Sequence, residues 1–392
     1  MQRLPLLFCA LFLASCAGAT GRLPIPVSAQ GATRTYGADA NFKSVFSFNG
    51  TDGKEPYASL IAVDGALYGT TYGGGAHDSG TVFKLARSGT QSVLHSFKDG
   101  MDGSLPQAGL LDLQGTLYGT TIEGGGPGEE GVVFKIVGSG GESVIHRFAG
   151  GDDGASPYAG LTEINGVLYG TTAAGGMHSE GTVFKVTTSG KESVLYNFGS
   201  VNGDGATPVA RLINVKGVLY GTTSYGGSRC GSLGCGSVFK ITTSGAEKVL
   251  HSFKGRRDGS NPATALTNLN GTFYGTTTLG GLKNAGTVFK LTRSGAETVI
   301  YSFKGGEDGA SPQGLVELNG RLYGTASAGG SRHDGTVFAI ATSGKLTVLH
   351  TFTGGTDGAT PRAGLRNVNG VLYGTTVAGG SHKAGTIFSL SP

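Results

Sequence analysis

Residues 159–198 read AGLTEINGVLYGTTAAGGMHSEGTVFKVTTSGKESVLYNF, and this stretch decides the fold. Ala159 to Ile164 is a first extended run and Val167 to Thr172 a second, with Asn165-Gly166 between them. Asn-Gly between two such runs is the strongest short hairpin signal, because a type I′ turn needs positive φ at both central residues. A Gly-Gly-containing loop, Gly175 to Glu180, leads to a third run, Gly181 to Thr187. Ser189-Gly190 then turns the chain into a fourth, Glu192 to Phe198. No helical periodicity persists over three turns, so the unit reads as four short antiparallel strands.

The unit recurs along the chain. Leu-Tyr-Gly-Thr, once Phe-Tyr-Gly-Thr, places Tyr68, Tyr118, Tyr169, Tyr220, Tyr274, Tyr323 and Tyr373 at spacings of 49 to 54 residues. The longest spacing contains Cys230 and Cys235 in a Gly-rich insertion. A fixed period of this length marks a repeat architecture. Small four-stranded sheets need cover on both faces, and radial packing supplies it while leaving few exposed edges. No copy looks like a cap for an open stack. Ser44-Val45-Phe46-Ser47-Phe48 reads as a fourth strand without its three predecessors, and Gly385 to Leu390 as a third strand without its successor. The expectation is an all-β, seven-bladed β-propeller of four-stranded antiparallel blades over 43–392, closed by the N-terminal strand pairing into the last blade.

The recurring set Leu-Tyr-Gly-Thr-Thr, Gly-Gly, Gly-Thr-Val-Phe-Lys and Asp-Gly-x-x-Pro resembles the tandem repeat of the choice-of-anchor GloVer-repeat bacterial proteins. The resemblance covers 43–392 and implies a surface or secreted bacterial protein with variable anchoring. It brings no catalytic residues with it.

The first residues agree with export. Arg3 and the free amine precede an apolar stretch, Leu4 to Leu13, too short to span a bilayer. Leu13-Ala14-Ser15-Cys16 resembles the lipobox of bacterial lipoproteins, which implies a signal over 1–15 and acyl chains on Cys16. Ordinary signal cleavage and secretion is the alternative. Two or more acyl chains hold a protein at a membrane where one is marginal. Residues 16–42 read as a flexible tether. With Cys9 in the signal and Cys16 lipidated, Cys230 and Cys235 are left to close a local disulfide in an oxidising compartment. A net charge of +4 over 392 residues is too diffuse for a nucleic-acid partner.

The strand order puts the Asn-Gly and Ser-Gly hairpins on one face of the ring. The Asp-Gly-x-x-Pro connections and the Gly-Gly loops share the other, and that loop-rich face is the candidate binding surface. On it lie His77, His178, His333 and His382, the acidic pair Glu129 and Glu130, and the basic pair Arg256 and Arg257. Asp52, Asp102, Asp153, Asp204, Asp258, Asp308 and Asp357 precede Gly in every inter-blade connection. Calcium is one reading of them; an Asx-turn, bonding the backbone ahead, is the favoured one. His95, His146, His251 and His350 share a fourth-strand slot with Phe46, Tyr196 and Tyr301, so the slot is read as needing an aromatic body on the face of Val93 and Phe97. Asp112, Glu163, Asn214, Asn268, Glu317 and Asn367 recur near the first hairpin, where a ring of oxygens would loosely resemble calcium-dependent lactonase or phosphotriesterase propellers. Solvation at a turn is the plainer account of them. The favoured function is a non-catalytic, monomeric binding or scaffold module at the envelope, without a cofactor, recognising a glycan, peptide or protein. The alternative is a metal-dependent hydrolase with calcium in the channel.

Overall fold

The computed structural model describes residues 41–392 apart from 139, 229 and 232. The signal expected over 1–15, Cys16, and the tether up to residue 40 lie outside the described residues. Seven four-stranded antiparallel sheets follow one another along the chain. Blades 1 to 6 occupy 61–96, 111–147, 162–197, 213–252, 267–302 and 310–351. In blade 3 the strands are Thr162–Ile164, Val167–Thr172, Thr182–Thr187 and Glu192–Asn197, in that spatial order. Blade 7 is composite: Arg366–Val368, Val371–Thr376 and Thr386–Ser391 are completed by Asn41–Ser47, antiparallel to Thr386–Ser391. The expected latch is therefore present. Its strand starts at Asn41, ahead of residue 43, because Phe42 has a place to pack: its ring stacks on His350 at 3.6 Å.

Three repeated contacts hold neighbouring blades together. The first Thr after each Leu-Tyr-Gly donates its hydroxyl to a backbone carbonyl of the next blade at 2.8–3.2 Å, from Thr70 to Ala108 and onward. The last of these, Thr375 to Ala58, joins blade 7 to blade 1 and closes the circle. The Phe just past each fourth strand meets the third-strand Phe of the next blade edge-on, with centroids 5.1–5.3 Å apart at all seven interfaces. Such pairs contribute about 0.5–1.5 kcal/mol beyond the area they bury. The Gly of Leu-Tyr-Gly-Thr makes room for that third-strand ring. A Cβ on Gly170 would stand 2.5 Å from Phe184 Cζ, inside van der Waals contact.

One feature of the outer strand overturns a simple reading. Val183 pairs with Tyr196 while Phe184 pairs with Val194, so Leu195 is an inserted residue, a β-bulge. The same shift recurs in the other blades, including the latch strand. Directly paired residues share a face. In blade 1, Val93 therefore sits with Phe83 and His95 with Val82, on opposite faces. Alternation counted along the sequence placed them together; the bulge separates them. The bulged carbonyl is also where the next blade docks, since a Cβ on Gly190 would fall on Ile145 O.

The connections on the other face are equally regular. Ala155 exchanges backbone hydrogen bonds with Ala174, tying the Asp-Gly-x-x-Pro segment to the second-to-third-strand loop of its own blade. The next residue, Ser156, donates to Glu130 O of the preceding blade at 2.9 Å and accepts from Ala173 N at 3.0 Å. Ser156 and its six counterparts, each before a Pro, hold φ of 52–58°, a conformation unfavourable there for a side chain. Bonds to two blades at once keep them in it.

Candidate functional site

The loop-rich face is chemically uneven. Met101, Met177, Val201, Leu233, Leu279 and Leu282 are exposed on it, all between blades 2 and 5. Met177 at 69%, Leu233 at 73% and Leu282 at 68% are more open to solvent than hydrophobic packing would leave them. Only Val93 and Val137 are comparable elsewhere among the described residues; Val93 lies on a fourth strand and Val137 ends a third strand. Two clefts flank this apolar stretch, each where an inter-blade connection faces the next loop. At blade 2, Gly100 and Met101 face Gly126, Pro127, Gly128 and Glu129. At blade 5, Arg256 and Arg257 face Gly281, Leu282, Lys283 and Asn284. The first end is acidic: burial, with Asp99 and Glu129 nearby, raises the Glu123 carboxyl above its ordinary value. The second end is basic.

The residues singled out from sequence fall as follows. Glu129, Arg256 and Arg257 are exposed and line these clefts, while Glu130 is half-buried. His77, His178, His333 and His382 are all exposed on their separate loops, and His382 Nδ1 lies 3.0 Å from Ser381 Oγ. Cys230 and Cys235 are joined as a disulfide, with Cα atoms 5.2 Å apart, and the bridge closes the longest of the loops. On the opposite face, an oxygen of Asp112, Glu163, Asn214, Asn268, Glu317 and Asn367 accepts a hydrogen bond from the turn Gly amide three residues on. These six side chains cap their own hairpins.

A further set of polar groups lies between the outer strands of adjacent blades, and sequence reasoning missed it. The slot of His95, His146, Tyr196, His251, Tyr301 and His350 does pack its ring edge-on against the Phe two residues later, as an aromatic slot should. Its polar edge, however, meets the Asp of the following connection. Nε2 of the four histidines lies 3.2–3.4 Å from Asp102, Asp153, Asp258 and Asp357, and the two tyrosine hydroxyls donate to Asp204 and Asp308 at 2.8 Å. The recurring Asp reaches backward. It accepts from a backbone amide four residues earlier in most copies, for example Lys254 N to Asp258 at 2.8 Å. Only Asp204 bonds the amide directly ahead of it.

A residue at the start of the next fourth strand completes this group. Glu142, Glu192, Glu247 and Glu297 supply a second carboxyl at the interfaces of blades 1/2, 2/3, 3/4 and 4/5. Burial first, then the neighbouring Asp, pushes the first three up to about 7 and Glu297 up to about 8. Burial lowers His95, His146 and His350, with the Asp acting against it. At the remaining interfaces Leu346, Phe42 and Gln91 stand in the same position. A comparison of each copy with the one before it would have shown this pairing of a His or Tyr with a later Glu.

Solved structures share the fold at low identity. An ancestral GH74 enzyme superposes with a TM-score of 0.55 at 13% identity, over 88% of this chain and 49% of that one. PorZ, a surface component of the type-IX secretion system of Porphyromonas gingivalis, does so with a TM-score of 0.53 at 13% identity, over 88% and 47%. The chain spans about half the length of these two. A gluconolactonase of Xanthomonas campestris gives a TM-score of 0.44 at 13% identity, over 96% and 99%. At these identities the likeness is one of fold, and fold alone does not carry an activity. No curated protein matches the chain in sequence. The Gloeobacter/Verrucomicrobia repeat matches residues 27–233 and 228–392, and together with seven blades built to one pattern it places the chain in that repeat family.

Proposed function

We propose that the protein is a non-catalytic binding propeller whose loop-rich face, across blades 2 to 5, docks a protein partner. The observation that carries the reading is the exposed Met177, Val201 and Leu233 on loops of blades 3 and 4, which lie in chain order between an acidic cleft at Glu129 and a basic one where Leu282 joins Arg256, Arg257 and Lys283. An apolar centre with a charged rim is the anatomy of a protein–protein interface, and exposed apolar patches on a soluble fold mark such sites. Flexible Met and Leu suit a protein surface better than a sugar ring. Acyl chains on Cys16 would hold the module at the envelope. The channel-metal hydrolase gains no support from Asp112, Glu163 and Glu317, each of which turns one carboxylate oxygen to the amide of its own hairpin. A photo-crosslinking side chain at Met177 or Leu282, in cells that make the protein, is expected to capture one discrete partner. The same side chain at Lys345, on the hairpin face, is expected to capture none. Equal capture from both faces, or capture from Lys345 alone, contradicts the reading.

A further inference from the structure

The blade interfaces form a natural series in which one backbone geometry carries different side chains. At blades 2/3, one ligand atom from each of His146, Asp153 and Glu192 lies within 4.8 Å of the others, and at blades 4/5 the same holds for His251, Asp258 and Glu297. These are the two such groups of three among the described residues. In both, the histidine Nε2 is shielded from solvent and has no hydrogen-bond partner, although Asp153 and Asp258 stand only 3.2 and 3.4 Å away. The carboxylate is close but off the direction a hydrogen bond needs. Oε1 of Glu192 and of Glu297 is likewise buried and unpaired.

Glu142 Oε1 and Glu247 Oε1 are buried and unpaired as well, so the unpaired histidine nitrogen is what sets the blade 2/3 and blade 4/5 interfaces apart. His95 and His350 bond Asp102 and Asp357 at 3.2 Å, and Tyr196 and Tyr301 donate to Asp204 and Asp308. Leaving a buried polar atom unpaired is destabilising. Two sites each leave a nitrogen and an oxygen unpaired while facing a carboxylate, which is what a missing common partner looks like. A proton between Asp and Glu satisfies the oxygens but not the imidazole. A cation satisfies all three.

We propose that the blade 2/3 and blade 4/5 interfaces are a matched pair of divalent-cation sites, formed by His146, Asp153 and Glu192 and by His251, Asp258 and Glu297. One imidazole nitrogen with two carboxylate oxygens suits a borderline first-row ion such as Zn2+ better than calcium, which takes oxygen donors. Ligands of tetrahedral zinc at about 2.1 Å stand about 3.4 Å apart. The His–Asp pair already has that spacing, so only the Glu has to close in, and water completes the coordination. Each ion would cross-link the outer strands of two blades through the connection between them. Two clamps at alternate interfaces would stiffen blades 2 to 5.

The chain supplies its own controls. His146→Tyr and His251→Tyr install the residue found in the same slot at Tyr196 and Tyr301, and Glu192→Leu installs that of Leu346. The full chain, stripped by chelation and dialysed against micromolar Zn2+, is expected to hold two ions by elemental analysis. Either His146→Tyr or Glu192→Leu lowers this to one, and His146→Tyr with His251→Tyr to none, while His350→Tyr leaves it at two. Zn2+ at a hundredfold over Kd raises Tm by roughly 3–4 °C per site in the wild type. It leaves the double variant unchanged, and the metal-free melts of both report whether the variant folds. No bound Zn2+ in the wild type, or two ions retained by the double variant, overturns the proposal.

Discussion

The inner and outer halves of each blade obey different rules. Near the axis all seven interfaces carry the same Thr hydroxyl, and further out the same Phe pair, so the seam between blades 7 and 1 is indistinguishable from the rest. At the rim the same backbone slots hold His, Tyr or Phe against Asp, and then Glu, Gln, Leu or Phe from the next blade. The inner half builds a ring; the rim and the loops give each blade its own character. Repetition can enforce packing everywhere at once, and only departures from it can single out a blade.

The largest expected effect tests the uniform half. Phe184→Ala removes an inter-blade ring and should cost about 3–5 kcal/mol in urea unfolding. Phe48→Ala does the same at the seam and should cost as much. A seam variant with little effect would mean that the latch does not carry a full interface. Gly170→Ala belongs with these, because its Cβ meets Phe184 and the clash must be relieved by moving a buried ring. A smaller effect follows from the hydroxyls: Thr171→Val and Thr375→Val should each cost about 1 kcal/mol, equally at an interior interface and at the seam.

The rim is tested by pH. Glu247 faces Asp204 and Tyr196, and its carboxyl is raised to about 7. Between its ordinary value of 4.5 and 7 the folded chain holds a proton that the unfolded chain has lost, so stability falls as pH rises through that window. Glu247→Gln should leave stability at pH 4, below the ordinary value, nearly unchanged. At pH 8 it should raise stability by about 1 kcal/mol, after discounting for partial solvent screening. A gain that is the same at both pH values would mean the carboxyl is not held up by its surroundings. The smallest effect is expected at the loop histidines: His333→Ala and His382→Ala, both exposed, should change unfolding by less than about 0.5 kcal/mol.

Much of the fold was readable because local signals agreed with one another. Asn165-Gly166 and Ser189-Gly190 mark hairpins, the spacing of the Tyr residues counts the blades, and the orphan strand ending at Phe48 points to closure. Three things were not readable. The bulge at Leu195 has no residue signature, since Leu, Ile and Val all occupy it. It shifted the outer-strand faces and hid the polar edge of the His and Tyr slot. The approach of Glu192 to Asp153 depends on how far a blade's outer strand leans over the next, which no local pattern encodes. The apolar strip on the loops was missed because Met177, Leu233 and Leu282 belong to different copies and form a set only once the blades are arranged in order.

The central claim is that a protein partner engages one sector of one face. Hydrogen exchange of the full chain, with and without the partner captured through Leu282, tests it directly. Protection confined to the loops of blades 2 to 5, around Met101, Met177, Val201, Leu233 and Leu282, is the predicted result. Protection of the Asn-Gly and Ser-Gly hairpins, or protection spread evenly around all seven blades, would contradict it.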